Sequence, residues 1–155
     1  MGRVGSVDGD NGLGLVVAPR ANRMAIERAK QYGCGAIAVC NTNHFGIAGY
    51  YSIMAAEEGC IGMAMTNSTP LVGAHGGKGR ILGTNPIAVT FPSKDKADEV
   101  TVDMATSTAA YGKIEIAHRH GKDVPMGWAT NSGKTKLVVV GCTFHLNTEV
   151  ISQMV

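Results

Sequence analysis

Ala21, Met24, Ala25 and Ala29 recur at the spacing of one helix face and predict an amphipathic helix. Pro19 suits its first turn, where a missing N–H has no intrahelical partner to lose, and Gly33 fits the left-handed position just past its end. Residues 36–40 are apolar without interruption, as in a buried strand. A polar segment comes next, Asn41-Thr42-Asn43-His44-Phe45-Gly46. From Ile47 the helical spacing returns in Tyr50, Tyr51, Met54 and Ala55 until Gly59, and residues 61–66 predict the next strand. Upstream, Asp8-Gly9-Asp10-Asn11-Gly12 reads as a turn.

The two strand regions repeat one pattern. Gly33-Cys34 matches Gly59-Cys60, Ala38-Val39 matches Ala64-Met65, and Asn41-Thr42 matches Asn67-Ser68. A strand-helix-strand crossover is right-handed and makes its strands parallel, so both polar ends are expected at one sheet edge. Such edges are where open α/β sheets take ligands, and His44 and Ser68 would face one there. The plainer reading is that Asn and Ser/Thr end the strands and cap the next element. Residues 87–91 and 100–104 predict an antiparallel pair joined by the charged loop 92–99, so the sheet is expected to be mixed. A last helix is expected over residues 108–118.

At 155 residues the chain suits one domain able to bury a core without disulfides or metal. Its 21 glycines are nearly twice the usual share and imply many special backbone positions. A net charge of +2 with no basic cluster argues against nucleic acid. Cys34, Cys40, Cys60 and Cys142 form no C-x-x-C pair and are expected to be reduced and mostly buried. Residues 1–14 contain no signal-like apolar stretch and no run is long enough to span a membrane, so the expected location is cytoplasmic. Asn67-Ser68-Thr69 is then a chance match to a glycosylation acceptor.

Several familiar chemistries fail on spacing. Gly73, Gly76, Gly77, Gly79 and Gly83, with His75, Lys78 and Arg80, suit a phosphate but do not form G-x-G-x-x-G or open a helix. Ser132-Gly133-Lys134-Thr135 comes after Gly127 one residue too late for a P-loop and has no strand before it. There is no G-x-S-x-G. His118 and His120, two residues apart, would point to different helix faces, and no metal is expected.

Five ordered segments carry a more specific signal: Asn43-His44-Phe45-Gly46-Ile47-Ala48-Gly49-Tyr50-Tyr51, Met65-Thr66-Asn67-Ser68, Leu82-Gly83-Thr84-Asn85-Pro86-Ile87-Ala88, Val102-Asp103-Met104-Ala105-Thr106 and Gly112-Lys113-Ile114. Together they resemble the malate/L-lactate dehydrogenase family, whose members act on malate, L-lactate, sulfolactate or ureidoglycolate or reduce cyclic imino acids. The resemblance implies an α/β fold of non-Rossmann type, a mixed sheet with flanking helices that binds NAD or NADP. It also implies a homodimer and hydride transfer at a small 2-hydroxy or 2-oxo acid. By position it implies that His44 is an acid/base or cofactor-contacting residue, and that Phe45, Gly46, Ile47 and Ala48 continue the cofactor loop. Ser68, Asp103, Met104 and Ala105 would also meet the cofactor, and Thr84 the substrate. Read from the residues alone, His44 is equally a strand-end histidine bonded to backbone, Asp103 a cap for Thr106 or Ser107, and Thr84 a turn residue.

The family pattern also includes an upstream Ser-His-Gly segment with an Arg soon after it, which residues 1–5 lack; Arg3 lies in an unrelated context. Beyond Gly127-Trp128-Ala129 the family's Thr-Asp-Pro region gives way to Lys136-Leu137-Val138-Val139-Val140. The expectation is a partial family domain over residues 6–134, truncated at both ends, with a divergent tail over 135–155 that is sticky if it cannot join the sheet. A chain of this kind is either an active dehydrogenase or a catalytically silent module that binds cofactor or a full-length homologue.

Overall fold

The computed structural model describes residues 2–74, 80–129 and 150–154. It divides into two compact units, the first made of residues 1–66, 86–104 and 146–155, the second of residues 67–85 and 105–145.

The first unit is a mixed sheet with two helices. In chain order it contains β1 (Val4–Gly12), α1 (Gly14–Tyr32), β2 (Ala36–Thr42), α2 (Ala48–Ala56), β3 (Gly62–Met65), β4 (Ile87–Phe91) and β5 (Val100–Met104), and finally β6 (Val150–Met154). The spatial order is β1-β2-β6-β3-β4-β5. β1 and β2 are parallel, and every other neighbouring pair is antiparallel. β2 and β3 therefore point the same way, as the crossover argument requires, but β6 lies between them. The end of the tail thus packs inside the sheet. Residues 135–149, including the apolar run 137–140, lie outside the described residues.

Both helices pack on one face of this sheet. Ala18, Ala21, Ala25, Ile37, Val39, Ala48, Tyr51, Ala64 and Ala88 form the core, with Met24 packed against it. The prevalence of alanine brings backbones close. A Cβ on Gly62 would fall 2.1 Å from the Ser52 carbonyl oxygen, so only glycine lets β3 lie this near α2. Buried Asn22 joins the helices by donating to the Tyr51 carbonyl at 2.9 Å. Gly33 takes φ 82° and donates to the Ala29 carbonyl, closing α1 as expected.

Two local expectations fail. The Asp8-Gly9-Asp10-Asn11-Gly12 segment is inside β1, not between elements. Asp10 and Asn11 take φ 49° and 55°, and the pairing register with β2 shifts between Asp8 and Gly12. Residues that usually make a turn here make a bulge in a paired strand. α1 starts at Gly14, so Pro19 is inside it and forfeits one intrahelical bond. Packing sets that start: a Cβ on Gly14 would lie 2.2 Å from the Asn43 carbonyl oxygen.

β4 and β5 pair as expected, from Ile87 opposite Met104 to Phe91 opposite Val100. Directly paired residues share a face, so Met63, Met65, Ile87, Val89, Phe91, Val100, Val102 and Met104 all point away from α2. This face is apolar and is open along β5, where Val100, Val102 and Met104 are 56%, 47% and 65% exposed, while Met63, Met65, Ile87 and Val89 are half-buried.

The second unit contains a Val72–Leu82 bridge and α3 (Tyr111–Arg119). α3 starts three residues later than expected and ends at Arg119, with His120 as its C-cap. His118 and His120 are both exposed at its end. Residues 75–79, the middle of the phosphate-like segment, and residues 132–135 of the P-loop-like segment lie outside the described residues. Among described residues Cys40 and Cys60 are partly buried free thiols, while Cys34 is exposed in the turn after Gly33. Cys142 lies outside them. Among the described residues no helix is long and apolar enough to cross a membrane, and no three His, Cys, Asp or Glu side chains gather as a metal site.

Candidate functional site

The polar end of β2 is built by its neighbours. Asn41 has φ 50°, a conformation that asparagine tolerates, and its amide donates to Asp8 at 3.0 Å. The Asp10 N–H, foremost, and the Asn41 amide hold the Asp8 carboxyl below its ordinary pKa. Asn43 donates to the Asn11 and Gly12 carbonyls, so the β1 bulge anchors the segment leading into His44.

Phe45 is buried while His44 and Ile47 on either side of it are exposed. The Phe45 ring stacks on Tyr51, with centroids 4.9 Å apart and planes 5° from parallel. The Phe45 carbonyl accepts the Tyr51 hydroxyl. Burial, with a smaller contribution from Tyr50, raises the Tyr51 pKa, so the phenol remains a donor at neutral pH. Gly46 has φ 88°, and its N–H donates to His44 Nδ1 at 2.8 Å. The imidazole is thereby fixed at the surface of a loop that α2 holds from below.

Asp103 reaches α2 from the sheet. Its Oδ2 accepts the Gly49 N–H at 2.8 Å, in the first turn of a helix whose own N-cap, Ile47, offers no side-chain acceptor. Asp103 thus caps α2 from across the sheet instead of capping the residues after it. A Cβ on Gly49 would sit 2.7 Å from that oxygen, so glycine is required for the approach. A hydroxyl seam continues beside it, from Thr101 to Thr90 to Ser52 to the Gly49 carbonyl. Asp103→Ala is expected to cost about 0.5–2 kcal/mol, measured as a lower urea midpoint, with Asp103→Asn losing less because it keeps an acceptor oxygen.

The first unit therefore brings His44, Phe45, Gly46, Ile47 and Ala48 into one structure with Asp103, at the end of β5 beside Met104. Ser68, Thr84 and Ala105 belong to the second unit. There the Ser68 N–H donates to Asn85 Oδ1 at 2.9 Å, and the Thr84 carbonyl accepts both the N–H and the hydroxyl of Thr106. Gly49 and Tyr51 lie in the first family motif, but the sequence assigns neither a site role. Tyr51 otherwise reads as a helix-face residue, and nothing in the spacing links Gly49 to Asp103.

A mixed sheet with an exposed, loop-borne imidazole past the end of a buried strand defines an α/β protein with the kind of edge at which such sheets receive ligands. The family model described as malate/L-lactate dehydrogenase matches residues 1–135, and the chain belongs to that family. It is 57% identical over 125 residues to a malate dehydrogenase of Pyrococcus horikoshii, covering 81% of this chain and 34% of that protein. A (2R)-3-sulfolactate dehydrogenase (NADP(+)) of Chromohalobacter salexigens is 36% identical over 128 residues, covering 83% and 38%. The solved malate dehydrogenase of Entamoeba histolytica superimposes with a TM-score of 0.81 at 44% identity, over 90% of this chain and 38% of that one. The chain spans about a third of the length of the curated relatives it matches.

Proposed function

We propose that this chain is the cofactor-facing part of an NAD- or NADP-dependent dehydrogenase of small 2-hydroxy acids, such as malate or L-lactate. The observation that carries this reading is the His44-Phe45-Gly46 loop, held rigid at a strand end in a chain whose family match spans residues 1–135.

The residues of the first unit suit the ring and ribose parts of a dinucleotide. His44 offers a polar ring atom, Ile47 at 72% and Tyr50 at 57% exposure offer apolar surface for a flat ring, and the Asp103 carboxylate can accept ribose hydroxyls. The α2 N-terminus does not suit the diphosphate, because Asp103 already places negative charge there. His44, Phe45, Gly46, Ile47, Ala48, Asp103 and Met104 are the proposed cofactor residues of this unit. In the second unit, Ser68 and Ala105 are proposed for the cofactor and Thr84 for the substrate, on the family resemblance alone. When bound, the nicotinamide supplies or takes the hydride. The protein's part is to fix the ring, exclude water and present polar groups to the substrate oxygen.

The chain is expected to consume NADH or NADPH, monitored by absorbance, in the presence of oxaloacetate or pyruvate. A homodimer in the cytoplasm is the proposed form.

The exposed apolar strip along β5, with Val100, Val102 and Met104 beside Phe91 of β4, favours a second reading. Exposed faces of this kind mark protein contacts, and β5 is a sheet edge. On this reading the chain is a silent module that binds cofactor or a full-length homologue. Thermal stabilisation by NADH or NADPH without turnover, or mixed dimers on co-expression with such a homologue, would select it over the first.

A further inference from the structure

The Phe45 carbonyl and the Gly46 N–H belong to one planar trans peptide, so whatever fixes one fixes the other. The Tyr51 hydroxyl donates to that carbonyl, and the N–H on the opposite side donates to His44 Nδ1 at 2.8 Å. A flip of this peptide would break both bonds at once. Tyr51 is 1% exposed and its ring is clamped against Phe45, so the hydroxyl has no freedom to track a flip. Gly46, at φ 88°, holds a backbone conformation that a side chain would strain.

An imidazole nitrogen that accepts a hydrogen bond carries its lone pair, not a proton. Neutral His44 therefore has its hydrogen on Nε2. Among the described residues Nε2 makes no hydrogen bond, and the side chain is exposed.

We propose that Tyr51 is a positioning residue which, acting through the Phe45–Gly46 peptide, holds His44 in its Nε2–H tautomer, so that His44 presents an N–H donor to its ligand. The inference rests on reading the His44 edge as a ligand site. An N–H donor at this edge suits a carbonyl or carboxylate oxygen, such as that of a 2-oxo acid or a carboxamide, which it polarises.

The test is a long-range 1H–15N correlation spectrum of the 15N-labelled chain, with the His44 signals assigned by their loss in His44→Gln. The expected result is a pyridine-like shift for Nδ1 and a pyrrole-like shift for Nε2. Tyr51→Phe keeps the stacked ring but loses the hydroxyl, and it should move both shifts toward the average of two tautomers. A purely structural role for Tyr51 would lower stability and leave the tautomer unchanged. An averaged or Nδ1–H wild-type His44 overturns the proposal, as does a Tyr51→Phe spectrum identical to wild type at His44. Titration with NADH and NADPH, monitored by cofactor fluorescence, separates this from the functional reading. A fixed tautomer without cofactor binding sinks the ligand site and leaves the tautomer relay standing, whereas binding with an averaged tautomer does the reverse.

Discussion

Tyr51→Ala is expected to lose about 3–5 kcal/mol, the usual loss when a buried aromatic residue becomes alanine. The effect should fall at the upper end of that range, because the ring is 1% exposed and stacked on Phe45, and its hydroxyl satisfies the Phe45 carbonyl. Truncation would open a cavity between α2 and the loop and leave that carbonyl without its protein donor. Domains of this size have a total stability of roughly 5–15 kcal/mol, so the variant should be close to unfolding in mild urea. Tyr51→Phe is the control, expected to lose only about 1 kcal/mol with the hydrogen bond. Equal urea midpoints for the alanine and phenylalanine variants would mean that the ring contributes nothing beyond its hydroxyl, contrary to this packing.

Gly62→Val is expected to cost about 3 kcal/mol, at the upper end for overpacking. A Cβ at this position would lie 2.1 Å from the Ser52 carbonyl oxygen and 2.8 Å from the Ser52 carbonyl carbon and Cα. These are backbone atoms and cannot swing aside, so α2 as a whole would have to move away from β3. That movement would also disturb the Thr90–Ser52 hydroxyl contact and the Asp103–Gly49 cap, both of which depend on helix-to-sheet distance. A urea midpoint close to wild type would show that α2 can shift freely. Loss of the Gly49 amide protection in hydrogen exchange, with the rest of the sheet protected, would localise the damage to the α2 start.

Much of the first unit was readable because its determinants are local. The 3.6-residue spacing of Ala21, Ala25 and Ala29, the glycine stops at 33 and 59, and the alternating strands at 87–91 and 100–104 each act within a few neighbours. β1 was not readable in the same way. Asp8-Gly9-Asp10-Asn11-Gly12 has turn chemistry, and only pairing with β2 converts it into a bulge. The α1 start is non-local for a similar reason, since contact with the Asn43 and His44 backbone fixes it and not Pro19. His44 and Asp103 stood out through the family motifs they carry. Tyr51 and Gly49 act across distances that sequence spacing does not record: one through a peptide unit six residues back, the other through a carboxylate 54 positions away.

The place of β6 bears on how the protein is made. Val150 opposes Cys40, and Met154 lies opposite both Ala36 and Met63, so the seam between the two halves of the sheet closes around a segment translated more than a hundred residues after β2. Loop closure over that distance is slow compared with forming a hairpin such as β4 and β5. A growing chain would carry β2 and β3 with facing edges unpaired until residues 150–154 emerge from the ribosome, a period in which such edges can pair wrongly or recruit a chaperone.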